Sequence, residues 1–320
     1  MTSWKPSSAP AVARRRAEML ERARDYLTAQ GILAVDTPAL SRYAASDVNI
    51  DSLAVRSKFG KDFFLHSSPE FCMKRLLAGG YPDIYSICRV FRDGEAGKRH
   101  AQEFTLVEWY RLGFDLQQII DDTIGFITTC LNLPRLVENV VQYEYVDAFE
   151  EFAGVDALED TVDQLSRACD ADAKLESDIG MDRSTWLDMI MSTIVAPRFA
   201  QDQLTVVRHY PAEQAALARL CHEDERVADR FEVFCGDLEL ANGYVELSDA
   251  AEQQLRIDRD LDIRQAAGRA QSPSDPRLIS ALEQPLPECA GVAVGVERLH
   301  MILDQIDDIA DVVTFVAEAP

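Results

Sequence analysis

Residues 11–30, AVARRRAEMLERARDYLTAQ, carry apolar side chains at helical spacing and run into Gly31, so the pattern predicts an opening helix with a glycine C-cap. GILAVDTPAL then reads as a short strand stopped at Thr37-Pro38, because the residue before a proline is pushed toward extended geometry. Residues 63–66 read as another strand, and Pro69 suits the first turn of a helix that PEFCMKRLLAGG carries to Gly79-Gly80. Over 84–92 and again over 103–112 apolar and polar positions alternate with period two, which predicts a long hairpin around a charged loop. A helical region is expected from 115 to about 200, followed by the strand LTVVRHYP and by two strands, RFEVFCG and LELANGYVEL, joined at Gly236-Asp237. Ser248 is expected to cap a helix reaching about Ala267, and AGVAVGVERLHMIL reads as a glycine-bounded strand entering a helix. Strands in the first and last thirds with helices between them imply an α+β fold, an antiparallel sheet flanked by helices. Residues 1–10 are expected to form a flexible N-terminus and 11–320 a single domain.

Composition narrows the classes. With 47% hydrophobic residues, a chain of 320 residues can fill a sizeable core. A net charge of -23 argues against a surface that neutralises many phosphates, although a local basic pocket is compatible with it. Six lysines against 26 arginines, with abundant aspartate, fit a salt-rich cytoplasm. MTSWKPSSAP has no apolar core or cleavage signal, and no run of about 18 apolar residues follows, so a cytoplasmic chain without a membrane span is expected. The seven cysteines form no C-x-x-C and suggest neither a zinc knuckle nor a disulfide framework. Cys221-His222 is the one adjacent pair of metal-ligand types, and it lacks a second pair.

Three features carry candidate chemistry. Glu232, Glu239 and Glu246 recur every seven residues across the expected hairpin. The odd spacing puts Glu239 and Glu246 on opposite faces unless a bulge intervenes, for which Asn242-Gly243 is the candidate. They read either as a solvated sheet edge or as a magnesium site with a contact to a cationic substrate. Period two also gathers Phe104, Leu106, Glu108 and Tyr110 on one face, as a pocket wall or as a core stripe with one ion-paired glutamate. Arg92 and Arg298 stand among apolar neighbours, where a guanidinium needs a carboxylate or a phosphate.

VFRDGEAGKRHAQEFTLVEWY resembles motif 2 of the class II aminoacyl-tRNA synthetases, GVAVGVERL resembles motif 3, and GILAVDTPAL resembles motif 1, whose proline lies in the dimer interface of that family. SSPEFCMKRLLAGG and RFEVFCGDLELANGYVEL narrow the likeness to the lysyl-tRNA synthetase subgroup. Motif 1 stands so near the start that the resemblance implies a catalytic core without anticodon recognition. The subgroup's catalytic-core paralogues attach (R)-β-lysine to a lysine of translation elongation factor P.

What the resemblance implies is an ATP- and magnesium-dependent, homodimeric ligase acting on lysine or (R)-β-lysine, with elongation factor P as acceptor. Arg92 and Arg298 would be catalytic. The nucleotide would meet Arg92, Asp93, Gly94, His100, Phe104, Glu239, Leu240, Gly295 and Arg298, and Mg2+ would meet Glu232 and Glu239. The amino acid would meet Ser68, Pro69, Glu70, Glu108, Tyr110, Asn242, Glu246 and Ala293. The family reads FRNEE and HNPEF where this chain has FRDGE and HAQEF, so Gly94 lacks a carboxylate that contacts the base and Ala101 lacks an amide. Glu95 is a substitute whose one-residue shift on a strand would turn it the wrong way. Ala293 stands where lysyl-tRNA synthetases carry glycine, and its methyl is expected to favour a β-amino acid. An activator serving another acceptor and a noncatalytic synthetase-like regulator stay open at this point.

Overall fold

The computed structural model describes residues 4–60, 62–269, 273–284 and 286–316. Of the N-terminal stretch expected to be flexible, residues 1–3 lie outside that set, and Ser7 N donates to Thr314 O at 2.8 Å. Helix α1 (Pro10–Ala29) opens the fold and leads to strand β1 (Leu33–Ala34). Strands β2 (Leu40–Ser41), β3 (Ala54–Arg56) and β4 (Asp62–Leu65) form a small separate sheet, of which only the last was expected. Helix α2 (Glu70–Ala78) then precedes the expected hairpin, β5 (Ile84–Phe91) and β6 (Glu103–Leu112), which pair antiparallel from Ile84–Tyr110 to Phe91–Glu103.

Helix α3 (Leu116–Leu131) is launched by a capping box in which Asp115 accepts from Gln118 N and Gln118 reaches back to Asp115 N. Beyond it lie α4 (Arg135–Glu138), β7 (Val140–Glu144), α5 (Tyr145–Ala153), α6 (Val162–Ala168), α7 (Ala173–Ile179) and α8 (Arg183–Ile190). Strand β7 interrupts what was expected to be wholly helical. Its β-branched and aromatic residues pair in parallel with β8 (Leu204–Pro211) at the sheet edge. Strands β9 (Val227–Cys235) and β10 (Leu238–Val245) turn at Gly236-Asp237 as expected. Helix α9 (Ala250–Ala266) is capped by Asp249, which accepts from Ala251 N and Glu252 N, so the cap lies one residue after the expected Ser248. Helix α10 (Pro276–Leu282), strand β11 (Cys289–Gly295) and helix α11 (Val296–Asp304) complete the order.

The main sheet has eight strands in the order β1-β5-β6-β11-β10-β9-β8-β7. Its interior pairings are antiparallel, and the two edge pairings, β1–β5 and β7–β8, are parallel. One face packs on α1, α3 and α11: Met19, Leu27, Ile120 and Phe126 meet Val107, Trp109, Val292, Val294 and Phe231 in the largest core cluster. Period two sends the alternate residues of the same strands to the other face, where a cleft of about 1250 Å³ opens.

Candidate active site

One end of the cleft is built from buried charges. Ser68 Oγ accepts from Glu70 N at 3.0 Å, and α2 then carries Glu70 and Lys74 one turn apart on a single face. Lys74 Nζ, 1% exposed, lies 2.7 Å from Glu70 Oε1 and 2.5 Å from Glu246 Oε2. Tyr244 OH donates to Glu70 Oε1 at 2.5 Å. On β6, Glu108 accepts from Tyr110 OH and from Ser68 Oγ, each at 2.8 Å. Gly291 on β11 makes room for the cluster, since a Cβ there would come within 2.5 Å of the Tyr110 ring and 2.7 Å of Glu246 Oε1.

These groups titrate far from their usual ranges. Burial and then the Glu70 charge push the Glu108 carboxyl up to about 7, against the hydrogen bonds from Tyr110 and Ser68. Burial raises Glu246 as well, with Lys74 opposing and Glu70 adding to the rise. Burial draws the Lys74 ammonium down, but Glu246 and then Glu70 more than offset this, so it stays charged. Glu70 and Glu246 thus contact one ammonium with Glu108 beside them, and the protons that burial holds on Glu108 and Glu246 are ones a cationic ligand would displace.

At the other end the charged groups are half-exposed and paired among themselves. Arg92 Nη1 lies 3.3 Å from Glu95 Oε1, and its guanidinium sits over the Phe104 ring at 5.0 Å. Arg298 Nη1 donates to Glu239 O at 3.0 Å and to Glu239 Oε2 at 3.2 Å, while its Nη2 lies 3.0 Å from His100 Nε2. Partial burial of the ring and then the Arg298 charge hold the His100 imidazole below its ordinary value, which favours a neutral ring accepting at Nε2.

Between the two ends, Glu232 Oε1 accepts from Arg230 Nη2 at 2.6 Å and from Asn242 Nδ2 at 3.1 Å. Burial and then Glu239 push Glu232 up to about 7. Two carboxylates whose charges oppose one another supply hard oxygen donors, and this set fits a magnesium ion.

Of the residues singled out in the sequence, Ser68, Glu70, Arg92, His100, Phe104, Glu108, Tyr110, Glu232, Glu239, Leu240, Asn242, Glu246, Ala293, Gly295 and Arg298 line the cleft. Pro69 stands instead at the N-cap of α2. Asp93 faces its own loop, accepting from Gly94 N at 2.9 Å and from Gln102 Nε2 at 3.3 Å, and Gly94 is exposed there. With φ of +76° Gly94 turns the chain, which brings Glu95 into the cleft rather than away from it. The bulge that puts Glu239 and Glu246 on one side falls between Glu239 and Ala241, at Leu240, and not at Asn242-Gly243. Ala293 pairs across to both Asn242 and Glu108.

Lys74, Tyr244, Gly291 and Arg230 were not anticipated. Three of them carried a usable signal: Lys74 is four residues after Glu70 on a helix, Tyr244 is two from Glu246 on a strand, and Arg230 is two from Glu232.

A family model described as tRNA synthetases class II (D, K and N) matches residues 3–319. The chain is 40% identical over 325 residues to the elongation factor P–(R)-β-lysine ligase of Pseudoalteromonas translucida, covering 98% of this chain and 97% of that protein. It is 39% identical over 318 residues to the ligase of the same name from Mannheimia succiniciproducens, with 98% and 97% covered, and 37% identical over 328 residues to that of Haemophilus ducreyi, with 99% and 97% covered. Among the described residues no helix is long and apolar enough to cross a membrane. A match along nearly the whole chain, together with the eight-stranded sheet and its cleft, makes this protein a member of the class II tRNA synthetase family, within which it groups with the elongation factor P–(R)-β-lysine ligases.

Proposed function

We propose that the protein activates lysine or (R)-β-lysine with ATP, forming an aminoacyl-adenylate, and transfers the acyl group to a lysine side chain of elongation factor P. The observation that carries this reading is the cluster of Glu70, Glu108 and Glu246 about the single ammonium of Lys74, with Glu108 and Glu246 buried, because three acids with one cation among them suit a substrate that brings two amines. The choice of acceptor is supported by the relatives, which are elongation factor P–(R)-β-lysine ligases.

In the first step a carboxylate oxygen of the amino acid attacks the α-phosphorus; the new O–P bond forms as the bond to the bridging β-phosphate oxygen breaks, and pyrophosphate leaves. Glu70 and Glu246 hold the substrate amines, and Glu108 with Tyr110 closes the wall beside them. Arg92 binds the α-phosphate where negative charge grows, which places its cation at the transition state. Arg298 exchanges its internal Glu239 contact for the nucleotide, Phe104 offers a face for the base, and neutral His100 meets the terminal phosphate. Glu232 and Glu239 would hold magnesium, which when bound draws charge from the phosphate oxygens. Glu95 substitutes for the carboxylate missing at Gly94. In the second step the neutral amine of the acceptor lysine attacks the adenylate carbonyl, AMP leaves, an amide forms and the amine proton passes to solvent. The working unit in this reading is a homodimer through the Leu33–Leu40 segment, where both leucines are exposed.

Pyrophosphate exchange with (R)-β-lysine, α-lysine and a panel of other amino acids tests the proposal, followed by intact-mass measurement of elongation factor P. Exchange with one lysine isomer and the matching mass gain are expected. Absence of exchange with every amino acid, in folded protein at low and high salt, overturns the reading in favour of a noncatalytic one.

A further inference from the structure

Outside the cleft carboxylates, one group of side chains has the make-up of a metal site. His209, Cys221 and Asp229 bring a ring nitrogen, a thiol sulfur and a carboxylate oxygen within 4.8 Å of one another. They come from three adjacent chain segments: the end of β8, the loop after it, and β9. The loop is registered on β9 by Cys221 N donating to Val227 O at 2.9 Å and Asp229 N donating to Arg219 O at 3.0 Å.

His209 is held there at a conformational cost. It occupies the register shift between Arg208 and Tyr210 with φ of +56°, the only non-glycine residue inside a strand to adopt the left-handed region among the described residues. Such strain persists where the surroundings over-determine it, and it is frequent at functional sites. Its Nδ1 lies 2.6 Å from Glu144 Oε2, and Glu144 is fixed in turn by Arg208 at 2.7 Å. A carboxylate on one ring nitrogen sets the tautomer and aims the other nitrogen's lone pair, which is how metal-binding histidines are oriented. Nε2 points at Asp229 Oδ1, 3.7 Å away, while Asp229 Oδ2 is occupied by Arg219 Nε at 2.7 Å.

We propose that His209 Nε2, Cys221 Sγ and Asp229 Oδ1 form a zinc site, completed by water, that pins the 212–226 segment to the sheet. Tetrahedral zinc with bonds of about 2.0–2.3 Å sets its donors roughly 3.3–3.7 Å apart. The histidine and aspartate atoms, 3.7 Å apart, stand near that separation, and the thiol sulfur lies within 4.8 Å of both. On binding, the S–H bond breaks, an S–Zn bond forms and the proton goes to solvent. The pinned segment contributes Glu213, Gln214, Leu217 and Leu220 to the cleft wall, so the metal would stiffen one side of the substrate pocket without touching it. The mixed nitrogen, sulfur and oxygen set separates this site from the all-oxygen pair Glu232 and Glu239, which suits magnesium.

Cobalt(II) titration of the metal-stripped full-length protein is the test, read by the thiolate-to-cobalt absorption band that an all-oxygen site cannot give. The expected result is one equivalent bound with that band, displaced by zinc, abolished in Cys221→Ser, and with affinity lowered about 10–100-fold in Glu144→Gln. Absence of the band in the unmodified protein, or its persistence in Cys221→Ser, overturns the proposal and leaves His209 as an ion-pair hub between Glu144 and Asp229. Should the serine variant fail to fold, hydrogen exchange of residues 212–226 in the unmodified protein decides: one equivalent of zinc slows it if the site exists, and unchanged exchange rejects the site.

Discussion

The two ends of the cleft solve opposite problems with the same kinds of residue. At the amine end Glu108, Glu246 and Lys74 are buried, and each sits in contact with a phenol, a hydroxyl or an opposite charge that cannot move far. At the end proposed to take the phosphates Arg92, Arg298 and Glu239 are a quarter to two-fifths exposed, and the Arg92–Glu95 and Arg298–Glu239 pairs are contacts of 3.3 and 3.2 Å that a ligand can replace. Burial fixes the first group before any ligand arrives, at the cost of desolvated charge. Exposure leaves the second group free to exchange partners, at the cost of less definite geometry. In the proposed reaction, selectivity for the amino acid therefore resides in the rigid end, and the nucleotide would meet side chains that must first release each other.

The largest effect should come from breaking the rigid end. Glu246→Gln leaves Lys74 with one anionic partner and removes a proposed substrate contact; truncating a buried charge pair costs about 3–5 kcal/mol, which corresponds to a fall of roughly 150–5,000-fold in kcat/KM for lysine. The KM for ATP should change little. An equal loss for both substrates would mean that the two ends are not independent, and the comparison would fail.

Next in size is the pH dependence of stability without ligands. Glu108 and Glu232 titrate near 7 in the folded protein and Glu246 is also raised, whereas the unfolded chain ionises near 4.3. Between those values the folded state holds protons that the unfolded state has released, so stability falls as pH rises through the window. Below about 6.5 the depressed His66, His100 and His300 act in the opposite direction, because the unfolded chain protonates them first. The clean range is therefore from pH 6.5 upward. Moving to pH 8 should cost on the order of 1–3 kcal/mol, seen as a lower Tm, and lysine with magnesium should flatten the slope. A Tm that rises over this range would show that the buried carboxylates ionise without penalty.

A smaller effect is expected at the exchangeable end. Arg298→Lys keeps the charge but loses the planar fork that reaches Glu239 and His100 together, which should cost about 1–2 kcal/mol, or roughly 5–30-fold in the KM for ATP. The KM for lysine should be unaffected. A change in lysine KM equal to that for ATP would place Arg298 in the rigid network.

The same division governs what could be read from the chain. Period two on 103–112 and the paired run on 84–92 displayed the hairpin and the Phe104–Tyr110 face, because a sheet with one covered face writes its alternation directly into the sequence. Glu239 on β10 and Glu246 just after it were visible as residues but not as a cluster, since the bulge at Leu240 that aligns them leaves no glycine or proline as a mark. Lys74 resembles any surface lysine on an amphipathic helix, and only the folded sheet shows that its neighbours are carboxylates. Strand β7 was read as helix because its five residues gain strand geometry from pairing with β8, a contact 64 residues away in sequence. Glu95 was judged by strand rules, whereas Gly94 had already taken the chain out of the strand.

Ala293 offers the finest division of the rigid end. It lies on β11 directly across from Asn242 on one side and Glu108 on the other, so its methyl enters the cleft wall between those two residues. Removing a single methyl frees about one carbon's width and changes apolar contact by about 0.8 kcal/mol, or roughly fourfold. A pocket fitted to a β-amino acid loses that contact, while an α-amine gains the space beside the reacting carboxylate. Ala293→Gly should therefore shift the ratio of activation rates toward α-lysine by several-fold, measured as pyrophosphate exchange with each isomer at equal concentration. An unchanged ratio would move the choice between isomers from this wall to the positions of Glu70 and Glu246, where only the buried charges distinguish one amine from the other.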